Sequence, residues 1–184
     1  IDLVGCWTDD IGTSNRFTYM LKWKDNEDKE TNWKTFVSDK QWINERTESE
    51  KHDGPWVINA QNSYLKLAAY SPEPRISKPV TELRIYTTAP GKMADLHGRF
   101  SDYTMDFFAK HHIDVVGFWT HEVGNSNQLL YMLEYSNLDE REQKWGNFQS
   151  DPEWISTRAY TERNVPIVTS IRNPILRPPS YLIG

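Results

Sequence analysis

A chain of 184 residues that is 38% hydrophobic and 13% aromatic carries enough apolar material for a packed interior, which argues against wholesale disorder. Its net charge of −5 comes from interspersed signs, with no Lys/Arg cluster to track phosphates, so nucleic acid is not an expected partner. The longest apolar runs fall well short of a membrane span, and the lone Cys6 argues against an intrachain disulfide or a cysteine-based zinc site.

In chain order, the pattern predicts strands at Leu3–Thr8 and Arg16–Trp23, a helix through Trp33 and Phe36 continued past Trp42, and a strand near Trp56–Ala60. Ser71–Pro79, with three prolines, reads as a linker. Val80–Thr88 then alternates as a strand, with Leu83 and Ile85 expected toward the helices and Glu82, Arg84 and Tyr86 on the opposite face. Pro90-Gly91 breaks it, and Met93–Lys110 follows with helical spacing at Met93, Leu96, Phe100, Tyr103 or Thr104, and Phe107. Strands are predicted at Asp114–Val123 and Gln128–Tyr135, joined through Gly124-Asn125-Ser126-Asn127. Both are apolar on two faces, with Val115, Gly117 and Trp119 set against Val116 and Phe118, so both faces of their sheet must be covered. A helix opens at Ser136-Asn137-Leu138-Asp139, turning Leu138, Trp145 and Phe148 inward, and restarts at Asp151-Pro152. A strand near Ile167–Ile171 and a proline-rich tail close the chain.

The two ends of this list are copies. Trp7 meets Trp119 at an offset of 112, and without a gap Gly5, Gly12, Asn15, Tyr19, Trp33, Phe36, Asp39 and Trp42 meet Gly117, Gly124, Asn127, Tyr131, Trp145, Phe148, Asp151 and Trp154. About twenty identities at one fixed offset mark a tandem duplication. The later copy reads strand–helix–strand–strand–helix–strand, the ferredoxin-like order, which predicts an α+β fold with both helices on one face of an antiparallel sheet. The earlier copy lacks the opening strand and helix, which leads to the expectation that the sequence is a fragment. The expected organisation is a first repeat over 1–71, a linker over 72–79 and a second repeat over 80–184. Another such sheet is expected to cover each bare face.

Candidate chemistry is thin. Arg84 is expected to need a partner, with Glu134 on the neighbouring strand as the choice, and the pair is either a structural ion pair or a substrate anchor. His121, beside Glu122, is a strand-end side chain that could act as acid/base at a cavity mouth. Tyr86, Trp119, Asn127 and Tyr131 are candidates to line that cavity; the duplicated tryptophan and the turn asparagine also have plain structural readings. Asp39 and Asp151 read as helix N-caps, and His111-His112 diverge on a helix and cannot share a metal. No catalytic series, cofactor loop or metal-spaced cluster stands out, so no cofactor and no metal are expected.

The stretches ELRIYTTAPGK, VGFWT…G…N, SDPEW and NPILRP resemble the NIPSNAP family. That resemblance implies tandem ferredoxin-like repeats of the dimeric α+β barrel type, and links to mitochondria, with the cytoplasm as the alternative. With the inward polar candidates, the expected function is a small-molecule binder or cofactor-independent enzyme using a cavity in the repeat, and the alternative that the resemblance implies is a non-catalytic mitochondrial interaction or scaffold protein of vesicle or mitophagy type. A homo-oligomer is expected under both, because barrel-forming sheets pair between chains.

Overall fold

The computed structural model describes residues 1–182. Its strands are β1 (Asp2–Ile11), β2 (Phe17–Lys22), β3 (Tyr64–Leu67), β4 (Val80–Thr88), β5 (Asp114–Val123), β6 (Gln128–Tyr135), β7 (Val168–Arg172) and β8 (Ile175–Arg177). The helices are α1 (Asn26–Ser38), α2 (Lys40–Asp53), α3 (Met93–Arg99), α4 (Met105–Lys110), α5 (Leu138–Ser150) and α6 (Pro152–Thr161). A π-helical turn, Phe100–Thr104, joins α3 to α4. The strands form one antiparallel sheet in the order β2-β1-β8-β4-β6-β5-β3, with β7 also on β4, so the chain is α+β. Two compact units divide it: Ile1–Val4 with Met20–Asn62, and Gly5–Tyr19 with Ser63–Gly184.

In the second unit β4 lies between β6 and the β7–β8 stretch, paired with β6 from Val80↔Tyr135 to Thr87↔Gln128. The helices cover the face that carries Glu82, Arg84 and Tyr86, because Arg84 lies against Trp145 and Tyr86 against Phe100. This reverses the expected orientation: Leu83 and Ile85 are the residues that face away. A strand apolar on both sides does not tell its faces apart, and here the aromatic hydroxyls and helix-borne cations decide the matter. Between sheet and helices sit Leu96, Phe100, Phe108, Phe118, Tyr131 and Phe148, each 2% exposed or less. Burying so many rings supplies much of the unit's cohesion, at about 1.5–3 kcal/mol for each large apolar side chain.

Three local features depart from simple periodicity. A bulge in β5 between Val115 and Gly117 adds a residue, so Val115 packs toward the helix-side core and not on the face of Trp119. The π-turn places Thr104 and Phe108 inward where an unbroken α-helix would place Phe107, and Tyr103 stays exposed. Leu138, expected inward, opens α5 and remains 36% exposed.

Two strand assignments also need correction. Trp56, Val57 and Ile58 are exposed and outside any strand; the strand forms instead at Tyr64–Leu67, where β5 offers an edge to pair with. The proline-rich tail contains β8, whose three residues lie between Pro174 and Pro178 and pair with both β1 and β4. The face turned away from the helices is covered in part by Trp7, whose indole Nε1 donates to Thr81 Oγ1 at 3.1 Å, and by the 71–79 segment. That segment is anchored at both ends: Ser71 Oγ accepts from Phe118 N, and Ser77 N and Oγ donate to Glu134.

The first unit holds α1 and α2. Asp25 and Asp39 cap them, accepting from Asp28 N and Trp42 N at 2.8 Å each, and Gly54 ends α2 at a φ of 75° that favours glycine.

Candidate functional site

The polar centre of the second unit lies under α5. Glu82 is fully buried and Arg84 is 5% exposed, and their side chains pair directly. Arg141, one turn before Trp145 on α5, reaches the same carboxylate through Nε at 3.0 Å and Nη2 at 2.9 Å. Asn173 Nδ2 adds a bond to it at 3.1 Å. Arg84 Nε donates to the Tyr131 hydroxyl at 2.8 Å and Nη2 to the Tyr86 hydroxyl at 3.3 Å, while its guanidinium stacks 3.9 Å from the centre of the Trp145 ring. Burial alone would raise the Glu82 carboxyl, but the Arg141 and Arg84 cations outweigh it and hold the group below the ordinary carboxylate range. Burial likewise opposes the charge on Arg84, and the Tyr131, Tyr86 and Glu82 oxygens more than restore it, so it stays cationic. Tyr131 is pushed up, chiefly by burial, and remains a neutral hydroxyl.

Glu134 is therefore not the partner of Arg84. It points to the other face of β6, where Ser77 donates to both of its oxygens, and burial raises its carboxyl above the usual range. The partner is Glu82, two residues away on the same strand, where side chains share a face. Arg84, Tyr86 and Tyr131 thus come together. Trp119, His121 and Glu134 belong to the opposite face, and Asn127 sits exposed in the turn, its carbonyl accepting from Thr88 N at 2.8 Å. Arg141 and Asn173 escaped the sequence reading; the four-residue spacing of Arg141 and Trp145 on one helix face was the available signal.

Trp119 has a structural task that its repeat shares. Its ring covers Gly117 so closely that a Cβ there would lie 2.7 Å from it, and Trp7 covers Gly5 at the same 2.7 Å. Asn15 takes a left-handed φ of 58°, a turn conformation that asparagine tolerates better than most residues. Asp151 caps α6 and also binds Lys110 Nζ at 2.9 Å and His111 Nε2 at 2.7 Å, while His112 turns away at a φ of 53°. Among the described residues no group of three or more His, Cys, Asp or Glu is placed to hold a metal ion. No helix among them is long and apolar enough to cross a membrane.

The model of one family, NIPSNAP, matches residues 1–72 and 81–182. The chain belongs to the NIPSNAP family. A NipSnap homolog of Dictyostelium discoideum is 26% identical over 166 residues, covering 88% of this chain and 70% of that protein. An X-ray structure of a protein from Agrobacterium tumefaciens is similar at 22% identity and a TM-score of 0.51, over 56% of this chain and 96% of its own. An uncharacterised NIPSNAP-like domain protein from Burkholderia xenovorans is similar at 21% identity and a TM-score of 0.52, over 58% of this chain and 90% of its own. These likenesses show a shared NIPSNAP fold over a little more than half of this chain. The polar cluster built on Glu82 and Arg84 is a property of this chain's own geometry.

Proposed function

We propose that this NIPSNAP-domain protein is a non-catalytic interaction module made of two repeats, residues 1–71 and 80–184, joined by 72–79. The observation that carries this reading is the filling of the space where a substrate would sit. Phe100, Phe108, Phe118 and Tyr131 interlock there at centroid distances of 5.0–6.4 Å, leaving Arg84 enclosed by rings and by Glu82. A catalytic group must reach its substrate, and the candidates do not converge: Arg84 is sealed on the helix side, while Glu134 ties down the 71–79 segment. Satisfied, enclosed ion pairs of this kind fit a role in specifying the fold.

Native mass spectrometry of the purified chain tests the proposal. The expected spectrum contains polypeptide species alone; a stoichiometric small molecule released on activation would overturn it in favour of a binding or enzymatic role. We extend the proposal to mitochondria on the family resemblance alone. Imaging of the tagged full-length protein tests that extension, and a diffuse cytoplasmic signal would overturn it.

A further inference from the structure

The 71–79 segment between β3 and β4 lies outside any helix or strand, and prolines at 72, 74 and 79 withhold the N–H groups it would need to join the sheet. It crosses one face of the second unit as a strap, fastened at separate points. Ser71 Oγ accepts from Phe118 N at 2.9 Å. The Ile76 side chain lies so close over Gly5 that a Cβ on that glycine would stand 2.8 Å from Ile76 Cγ1. Ser77 then donates to Glu134 from its N to both carboxylate oxygens at 3.0 Å and from its Oγ to Oε2 at 2.8 Å. Lys78 Nζ binds Asp114 at 2.6 Å.

The Ser77 fastening is lopsided in its access to water. Glu134 is 2% exposed, whereas Ser77 stands exposed, with an exposed Arg75 two residues before it and a half-buried Lys78 immediately after. Protein kinases choose substrates by such flanking charge, and an extended segment without ladder hydrogen bonds is the form in which a serine can be handed to them. The same hydroxyl supplies a proton to a buried carboxylate. As a phosphate ester it has none to supply, and it brings about −1.5 to −2 charge at pH 7 to hydrogen-bond distance of Glu134. Two anions this close, one of them shielded from water, repel strongly. Arg75 and Lys78 are the neighbouring cations, and Arg75 lies on the solvent side, so they favour the phosphate away from Glu134.

We propose that Ser77 is a phosphorylation site whose phosphate frees the 71–79 strap from Glu134. The co-reactant is ATP, brought by a serine kinase that prefers basic flanks. Ser77 Oγ forms the new bond to the γ-phosphorus, the bond from that phosphorus to the β,γ-bridging oxygen breaks, ADP leaves with its electron pair, and the hydroxyl proton passes to the kinase's base. This regulation goes beyond the interaction role proposed above and does not rest on it.

The test uses the whole chain with phosphoserine built in at position 77, and reads hydrogen exchange of the residue 77 amide by NMR. Phosphoserine is expected to speed that exchange at least about tenfold, with the circular dichroism unchanged. S77A keeps both backbone bonds to Glu134 and should speed it no more than about threefold. In E134Q the amide carries no charge to repel the phosphate, so there the phosphoserine effect should fall below about twofold. A second arm gives the unmodified folded chain ATP and a serine kinase selective for basic flanks, and tandem mass spectrometry should find phosphate on Ser77. Unchanged exchange in the phosphoserine chain would overturn the proposal, as would equal acceleration in E134Q. So would labelling of Ser77 only after the chain is unfolded by heat, or of other serines with none on Ser77.

Discussion

Replacing Glu82 with leucine isolates the energetic logic of the buried cluster. The substitution leaves Arg84, 5% exposed, with two tyrosine hydroxyls and the Trp145 face but no carboxylate. Stranding a buried charge in this way costs about 3–5 kcal/mol. Arg84→Met is milder. Glu82 then keeps both bonds from Arg141 and the one from Asn173, and methionine still fills the space against Trp145. What is lost is the pairing with Glu82, whose charge Arg141 still balances, the bonds to Tyr131 and Tyr86 and the stacked cation, together about 2–3 kcal/mol. The double variant E82L/R84M takes Glu82 from Arg141 but leaves it Glu142 at 3.2 Å, and its side chain is already 17% exposed, so it can turn to water. Its loss should be smaller than that of E82L alone. The assay is urea unfolding followed by tryptophan fluorescence and circular dichroism, completed as a double-mutant cycle. Losses that add within about 0.5 kcal/mol, or an R84M loss larger than that of E82L, would refute the reasoning.

Two further predictions concern single positions. Gly117→Ala forces a Cβ to within 2.7 Å of the Trp119 ring and should cost about 1–3 kcal/mol, relieved when Trp119 is also cut to leucine. Gly146→Ala on α5 meets nothing within 4 Å and should instead stabilise by about 0.5–1 kcal/mol; thermal melts that rank the two alike would contradict both. For Glu134, burial raises the folded carboxyl, so between its unfolded and folded pKa values the native state holds more protons and loses stability as pH rises. The stability of E134Q relative to the wild type should therefore climb as pH rises above the unfolded carboxyl value of about 4 and level off once pH passes the raised folded value, read from urea midpoints. A difference that shrinks with rising pH would exclude the assignment.

Much of this fold could be read from side-chain spacing, and the limits are instructive. Val80–Thr88, Asp114–Val123 and Gln128–Tyr135 end where their turn residues say they should, and Asp39 and Asp151 cap helices as their neighbours Trp42 and Pro152 suggested. Faces were harder. Glu82 and Arg84 look like residues of the face away from the helices until Arg141 and Trp145 arrive from about sixty positions away, and no local pattern carries that distance. Tyr64–Leu67 became a strand in place of Trp56–Ala60 because of the β5 edge, a property of the assembled sheet. The duplication was legible because it recurs at one fixed offset; the partner of Arg84 was not, because the face that Arg84 shares with Glu82 was assigned to the side away from the helices.

The wide turn at Phe100–Thr104 gives the helix that contains it an uneven tolerance to changes in length. It absorbs one residue more than an α-helix would need to carry the chain from Phe100 to Phe108. Losing Ser101 or Asp102, both exposed, would let that stretch tighten to ordinary pitch with Phe108 still seated beneath Phe148. Losing a residue after Met105 has no such slack to draw on. It would rotate Lys110 and His111 by about 100° and carry them off Asp151, so the same one-codon deletion is silent on one side of the turn and unlocks the helix end on the other.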